Sequence, residues 1–114
     1  MPLPVFDRFD TAVVPFPFAE VPILKRRPVA VLSAAAFNAD HGATLCAMIT
    51  TAKATAWPSD IALSDLAEAG LDTPCILRFR LITIPNDLFV RGLGRLAPVD
   101  RLRTEGQLAR MLLG

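Results

Sequence analysis

The sequence predicts a mainly β fold, a small barrel or roll with short helical turns and one C-terminal helix. Three observations carry this expectation. Five or six apolar runs of strand length recur along the chain, separated by proline, glycine and asparagine turns. One of them, RPVAVLS at 27–33, is apolar on both alternating faces, as a strand buried on both sides must be. Only the segment from Pro98 onward carries a sustained helical period. At 114 residues, 53% hydrophobic and 20% charged, the chain is of one-domain size and too apolar for disorder. The expected organisation is an N-terminal arm over 1–10 and one barrel domain over 11–114.

Each element has a local reason. TAVVPFPF, from Thr11, is β-branched and aromatic, but Pro15 and Pro17 remove ladder donors and confine it to a strand edge or end. AEVPILKRR contains Pro22 and three consecutive cations, and reads as an exposed loop with a cationic tip. AAAFNADHG breaks at Asn38, Asp40 and Gly42, giving a helical turn before ATLCAMITT. In that strand Thr44, Cys46, Met48 and Thr50 share one face, and Leu45, Ala47, Ile49 and Thr51 the other. WPSDIALS supplies a short strand after a Trp-Pro turn, and SDLAEAG one or two helical turns ending at Gly70. DTPCILRFRLITIPNDLFVRGLGRLA reads as two strands joined in a hairpin around Pro85-Asn86-Asp87, with Gly92 and Gly94 marking a bulge or close strand packing. Pro98 opens the last helix, whose apolar face is expected to be Val99, Leu102, Gly106, Ala109 and Leu113, docked on the barrel or on a second subunit.

Composition excludes several function classes. A net charge of +1 lacks the bulk field of a histone-like protein, so only a local basic patch can attract a polyanion. His41 is the single histidine, which removes paired imidazoles, and no Cys-x-x-Cys, His-x-x-x-His or Asp-x-Asp-x-Asp-Gly spacing exists for a metal. Neither a Gly-x-x-x-x-Gly-Lys nor a Gly-x-Gly-x-x-Gly loop is present, so no cofactor and no metal is expected. Cys46 and Cys75 lie in apolar runs and suit buried thiols in a reducing cytoplasm. MPLPVFDRFD has acids and prolines where a signal peptide carries a basic start, and no apolar run reaches membrane-spanning length, so a cytoplasmic protein without a membrane partner is expected.

What remains is basic and hydroxyl-bearing: Lys25, Arg26 and Arg27 before one strand, Thr50 and Thr51 at the end of another, Arg78, Arg80 and Thr83 on a third. A guanidinium fork matches phosphate oxygens at any physiological pH, and a threonine hydroxyl donates to the same atoms, so these residues suit a phosphodiester. Lys25 and Arg26 also fit a solvated charge run, whereas Arg27 is held extended by Pro28 on a rigid strand. Phe79 and Trp57 each fit core packing or a stacking platform for a base, core packing being the first reading for Phe79.

The order D-T-A-V-V-P-F-P-F, K-R-R-P-V-A-V-L-S, A-M-I-T-T, W-P-S-D-I-A-L-S and V-R-G-L-G-R-L before a terminal helix resembles the PemK/MazF family of toxins from bacterial type II toxin–antitoxin pairs, from about Asp10 to the C-terminus. The resemblance implies an SH3-like barrel that forms a homodimer, inhibits growth by cutting single-stranded RNA (mRNA) without a metal, and is silenced by a small antitoxin protein. It implies Arg27 and Thr50 as catalytic residues, with Lys25, Arg26, Thr51, Arg78, Arg80 and Thr83 as RNA contacts. The implied reaction is attack of a ribose 2′-hydroxyl on phosphorus, leaving a cyclic phosphate and a 5′-hydroxyl. Arg27 is then the charge stabiliser and a candidate proton donor, since a guanidinium is rarely unprotonated at neutral pH. The base stays unassigned; Glu20 fits that role or an exposed turn charge.

This chain departs from its relatives at Arg78–Thr83. It reads R-F-R-L-I-T where relatives commonly read R-x-D-x-x-R-T, so an aspartate is missing. The KRRP segment also replaces a longer Glu-containing loop. A catalytically weak or dead member that binds RNA or antitoxin only is therefore the alternative. A gyrase poison similar to the CcdB toxins is a third reading, disfavoured because the chain ends R-M-L-L-G without tryptophan; a peptide-binding SH3 module is disfavoured by the absence of Tyr.

Overall fold

The structure, a computed structural model, describes residues 4–18, 21–52 and 56–114. Its elements are β1 (Asp10–Phe18), β2 (Val21–Val31), α1 (Ala35–His41), β3 (Ala43–Thr51), β4 (Ile61–Ala62), β5 (Cys75–Pro85), a 3-10 turn (Asn86–Leu88), β6 (Arg91–Arg95) and α2 (Pro98–Leu113). The six strands form one antiparallel sheet in the order β4-β5-β3-β2-β1-β6. Ile61, on one edge strand, and Leu96, just past the other, belong to the same buried cluster, so the sheet curls until both edges face a common interior. That cluster takes Ala47 and Ile49 from one face of β3, while Cys46 and Met48 pack with Val14, Phe16, Val29, Val31 and Ile84 on the other. The alternation read from ATLCAMITT is thus real, and β3 and the end of β2 are buried on both sides.

The segment read as a cationic loop is instead strand. β2 pairs with β1 in a long hairpin, with Val14 opposite Arg27, Pro15 opposite Arg26 and Phe16 opposite Lys25. The prolines are tolerated because each lies where its strand has a free edge. β1 pairs with β6 only from Asp10 to Val13, ahead of Pro15 and Pro17, and β2 pairs with β3 only from Val29 to Val31, beyond Pro22 and Pro28. A missing donor on an unpaired edge breaks no ladder hydrogen bond.

Two further expectations change. β5 and β6 do not form a hairpin: the Asn86 N–H is bonded to the Gly42 carbonyl at 2.9 Å, and β6 pairs with β1 across the sheet. Gly92 and Gly94 do mark a bulge, since Ala12 pairs with Gly92 and Thr11 with Gly94, leaving Leu93 between them. The last helix docks through a face the hydrophobic period did not indicate. Asp100 and Thr104 are buried and Leu108 packs on the core, whereas Val99, Leu102 and Leu113 are 52%, 69% and 87% exposed. Polar contacts to the barrel set this rotation: the Asp100 carboxylate accepts the Ser64 N–H at 2.9 Å and the Arg103 guanidinium donates to the Ala62 carbonyl, while the buried Thr104 hydroxyl is satisfied within the helix by the Asp100 carbonyl. Within the expected arm, Phe9 is buried in the core at a positive φ of 73°, and its N–H bonds the Val31 carbonyl at 2.7 Å, so the arm is built in from there on. Both cysteines are free and buried, and burial pushes the Cys46 thiol up to about 12. Among the described residues no helix is long and apolar enough to cross a membrane.

Candidate functional site

The short β2–β3 ladder makes the site. Past Val29↔Met48 the two strands part, although the period of two still places Arg27 and Thr50 on the same face, level with one another. The parting leaves a cavity of about 190 Å³ lined by Arg27, Pro28, Ile49, Thr50 and Thr51, and by Leu71, Asp72, Thr73 and Cys75. Arg27 is half-buried, and the Thr50 and Thr51 hydroxyls have no hydrogen-bond partner among the described residues. A guanidinium and two hydroxyls facing a cavity of this size form a donor set for an oxyanion such as a phosphodiester.

The loop that carries Asp72 and Thr73 is fixed by close backbone packing against β6. An added Cβ on Gly94 would lie 2.3 Å from the Glu68 carbonyl oxygen, and one on Gly70, whose φ is +73°, would lie 2.3 Å from that of Leu93. Glycine alone permits such approach. Across it the Arg95 N–H bonds the Glu68 carbonyl at 3.0 Å, and the buried Thr11 hydroxyl donates to the Ala69 carbonyl at 2.7 Å. Beyond Pro28, Leu71 and Asp72, which line both spaces, a second cleft of about 330 Å³ is lined by Val13, Gly70, Arg91 and Leu93.

The other candidate residues are distributed differently. Lys25 and Arg26 are exposed on β2 just ahead of Arg27. Arg78 is largely buried and held by Asp60 through two parallel bonds, Nε to Oδ1 at 3.0 Å and Nη2 to Oδ2 at 2.8 Å, with its guanidinium 4.9 Å from the Trp57 ring centre. Hydrogen bonding to Arg78 holds the Asp60 carboxyl below the usual carboxylate range. This edge of Arg78 is committed to the protein, and Arg80 lies in the β5 bulge where Ala47↔Leu81 gives way to Met48↔Arg78. Thr83 is paired with Leu45, five residues along β3 from Thr50, or roughly 17 Å at strand rise. His41 ends α1 at the start of β3, against Phe37, and Glu20 is outside the described residues. Trp57 is partly exposed with the Arg78 guanidinium over its ring, so it is not core, and Phe79 is core, the first of its two readings.

Asp60, Asp72 and Thr73 were not singled out from the sequence. Asp60 in WPSD and Asp72 in LDTP have the composition of ordinary turns, and no local signal separates them from other exposed acids.

Among solved structures, the fold is similar to MazF (Form-I) from Deinococcus radiodurans, 24% identical over 96% of this chain and 98% of that one, with a TM-score of 0.73. It is also similar to an endoribonuclease in complex with its cognate antitoxin from Mycobacterial species, 18% identical over 93% of each chain with a TM-score of 0.73. The Mycobacterium tuberculosis toxin MazF-mt6 is 19% identical over 89% of this chain and 93% of that one, with a TM-score of 0.70. Among curated proteins no significant sequence match is found. The sequence pattern of PemK-like, MazF-like toxins of type II toxin–antitoxin systems matches residues 7–112, and the chain belongs to that family.

Proposed function

We propose that this toxin is a metal-independent endoribonuclease that cuts single-stranded RNA at the parting of β2 and β3. The observation that carries the reading is the common cavity of Arg27 and Thr50, which stand 23 positions apart in sequence yet line one space sized for a phosphodiester. A ribose 2′-hydroxyl attacks the adjacent phosphorus, charge grows on the phosphoryl oxygens, and Arg27 with Thr50 donates to them. One preorganised donor of this kind is worth about 3–4 kcal/mol of barrier. Thr51 adds a second hydroxyl in the cavity, and exposed Lys25 and Arg26 extend the cationic track for flanking phosphates. Arg78, Arg80 and Thr83 are not among the residues that line this cavity.

The partner is a small antitoxin, a role supported by the family and by the antitoxin-bound structure of a relative of like fold. The homodimer expected from the resemblance finds support in the apolar side chains that α2 leaves exposed, Val99, Leu102, Leu112 and Leu113. The test is cleavage of a long single-stranded RNA with a chelator present, beside Arg27→Ala. Discrete new ends that vanish in the variant are expected. Intact RNA with folded wild-type protein would leave a member that only binds RNA or antitoxin.

A further inference from the structure

We propose that Asp72 is the general base of the cleavage reaction, an assignment that rests on the ribonuclease reading of the same cavity. Asp72 lines the cavity with Arg27 and Thr50, and it is exposed, with no hydrogen bond or ion pair among the described residues. Of the described groups around that space, it is the one able to take a proton at neutral pH. Arg27 is cationic, the threonines are not bases, and Cys75 is a buried thiol. Two competitors are placed elsewhere: His41 sits at the far end of β3, and Asp60 is engaged in a two-bond pair with Arg78.

The fold also fixes the segment that leads into Asp72. The Gly70–Leu93 and Gly94–Glu68 backbone contacts fix its loop against β6, and the Leu71 N–H closes the preceding turn on the Leu66 carbonyl at 2.8 Å. Asp72 borders the second cleft as well, where Arg91 is the cation. An RNA strand running from one cleft to the other therefore crosses the carboxylate, with Arg27 lining the first space and Arg91 the second.

The step balances without a metal. The Asp72 carboxylate takes the 2′-hydroxyl proton as the 2′-oxygen bonds to phosphorus. The bond from phosphorus to the 5′-oxygen breaks, and that oxygen keeps the electron pair and takes a proton from Arg27. Water then carries the proton held by Asp72 back to Arg27. The products are a 2′,3′-cyclic phosphate and a 5′-hydroxyl.

The test measures single-turnover cleavage by the full chain, with chelator, on a short RNA containing one mapped cut site. Affinity is read separately on the same strand with a 2′-deoxy sugar at that site, which cannot be cut. Asp72→Asn is expected to slow cleavage about 100- to 1,000-fold, as loss of a positioned base does, while affinity changes less than about threefold. Asp72→Glu should recover part of the rate. A second substrate with sulfur in place of the 5′-oxygen separates base from acid, because a thiolate leaves without a proton. On it the Arg27→Ala defect should shrink, whereas the Asp72→Asn defect should persist. Cleavage by Asp72→Asn within about threefold of wild type, a loss confined to affinity, or rescue of Asp72→Asn by the sulfur substrate would each overturn the assignment. If Arg27→Ala is dead while Asp72→Asn is active, only the base is wrong. If wild type leaves the RNA intact, the ribonuclease reading fails and this assignment with it. Matching circular dichroism and melting curves for the variants keep folding out of the result.

Discussion

The two ends of β3 use similar polar residues in opposite ways. At the Ala43 end every group is closed on another: the Ser33 hydroxyl donates to the Asn38 side-chain oxygen, and the Asn38 amide donates to the Phe6 and Ser33 carbonyls. The Thr44 hydroxyl donates to the Asn86 oxygen at 2.7 Å, and the Asn86 amide donates to the Asn38 carbonyl at 2.8 Å. Asn38 is fully buried within this network. At the Thr51 end the ladder stops, and the hydroxyls of Thr50 and Thr51 face a cavity instead. Satisfied buried polar groups give rigidity, and hydroxyls without a partner among the described residues stay open to a ligand. One strand thus anchors the fold at one end and presents chemistry at the other.

The comparison is sharpest under substitution. Arg27→Ala should lower cleavage about 100-fold or more while moving stability by less than about 1 kcal/mol, since the open end contributes donors rather than packing. Asn38→Ala should do the reverse. It strands several buried partners and should cost about 3 kcal/mol in a urea titration, with the surviving folded fraction cutting RNA at the wild-type rate. Equal losses of activity and stability in both variants would break the comparison.

Gly94→Ala joins the two properties. Its Cβ meets the Glu68 carbonyl oxygen at 2.3 Å, so the 64–73 loop must shift, at a cost of about 2 kcal/mol by thermal melting. Cleavage should fall with it because Asp72 moves, whereas Gly106→Ala, which meets open space inside α2, should leave cleavage unchanged and raise stability by about 0.5–1 kcal/mol.

Smaller effects come from the charged groups. The Asp60 carboxyl is lowered from 3.8 in the fold, so its stabilisation is complete above that value and is lost as pH falls through the lower folded one. Asp60→Asn should therefore be less stable at pH 7 by about 1–2 kcal/mol and show a shallower acid loss, read from melting temperatures between pH 7 and 2. Replacing Lys25 and Arg26 together by alanine should leave the fold unchanged and reduce the slope of log affinity against log salt by about 1.4, about 0.7 for each phosphate contact on a single strand.

The legible parts of this molecule were those set by short-range rules. The two-sided burial at 29–31, the alternation in ATLCAMITT, the helix from Pro98 and the close packing at Gly92 and Gly94 all follow from spacing along one element. The misread parts depended on what lay beside an element. AEVPILKRR, with Pro22, reads as a loop until the free edge of β2 is known, and β5 and β6 read as a hairpin until Asn86 is tied to Gly42. The inward face of α2 was missed because Asp100 docks by a hydrogen bond and Thr104 is buried with its hydroxyl satisfied inside the helix, which no hydrophobic period records.

By itself, then, the sequence determined a small, mainly β protein with a terminal helix and its family, and Arg27 and Thr50 came forward as a pair only through that family resemblance. Tertiary structure alone decided that Arg78 belongs to Asp60, that Thr83 lies at the wrong end of the ladder, and that Asp72 comes to the cavity. The physical reason is range: strand period and residue type act over a few positions, whereas a site is assembled where distant segments stop pairing with one another.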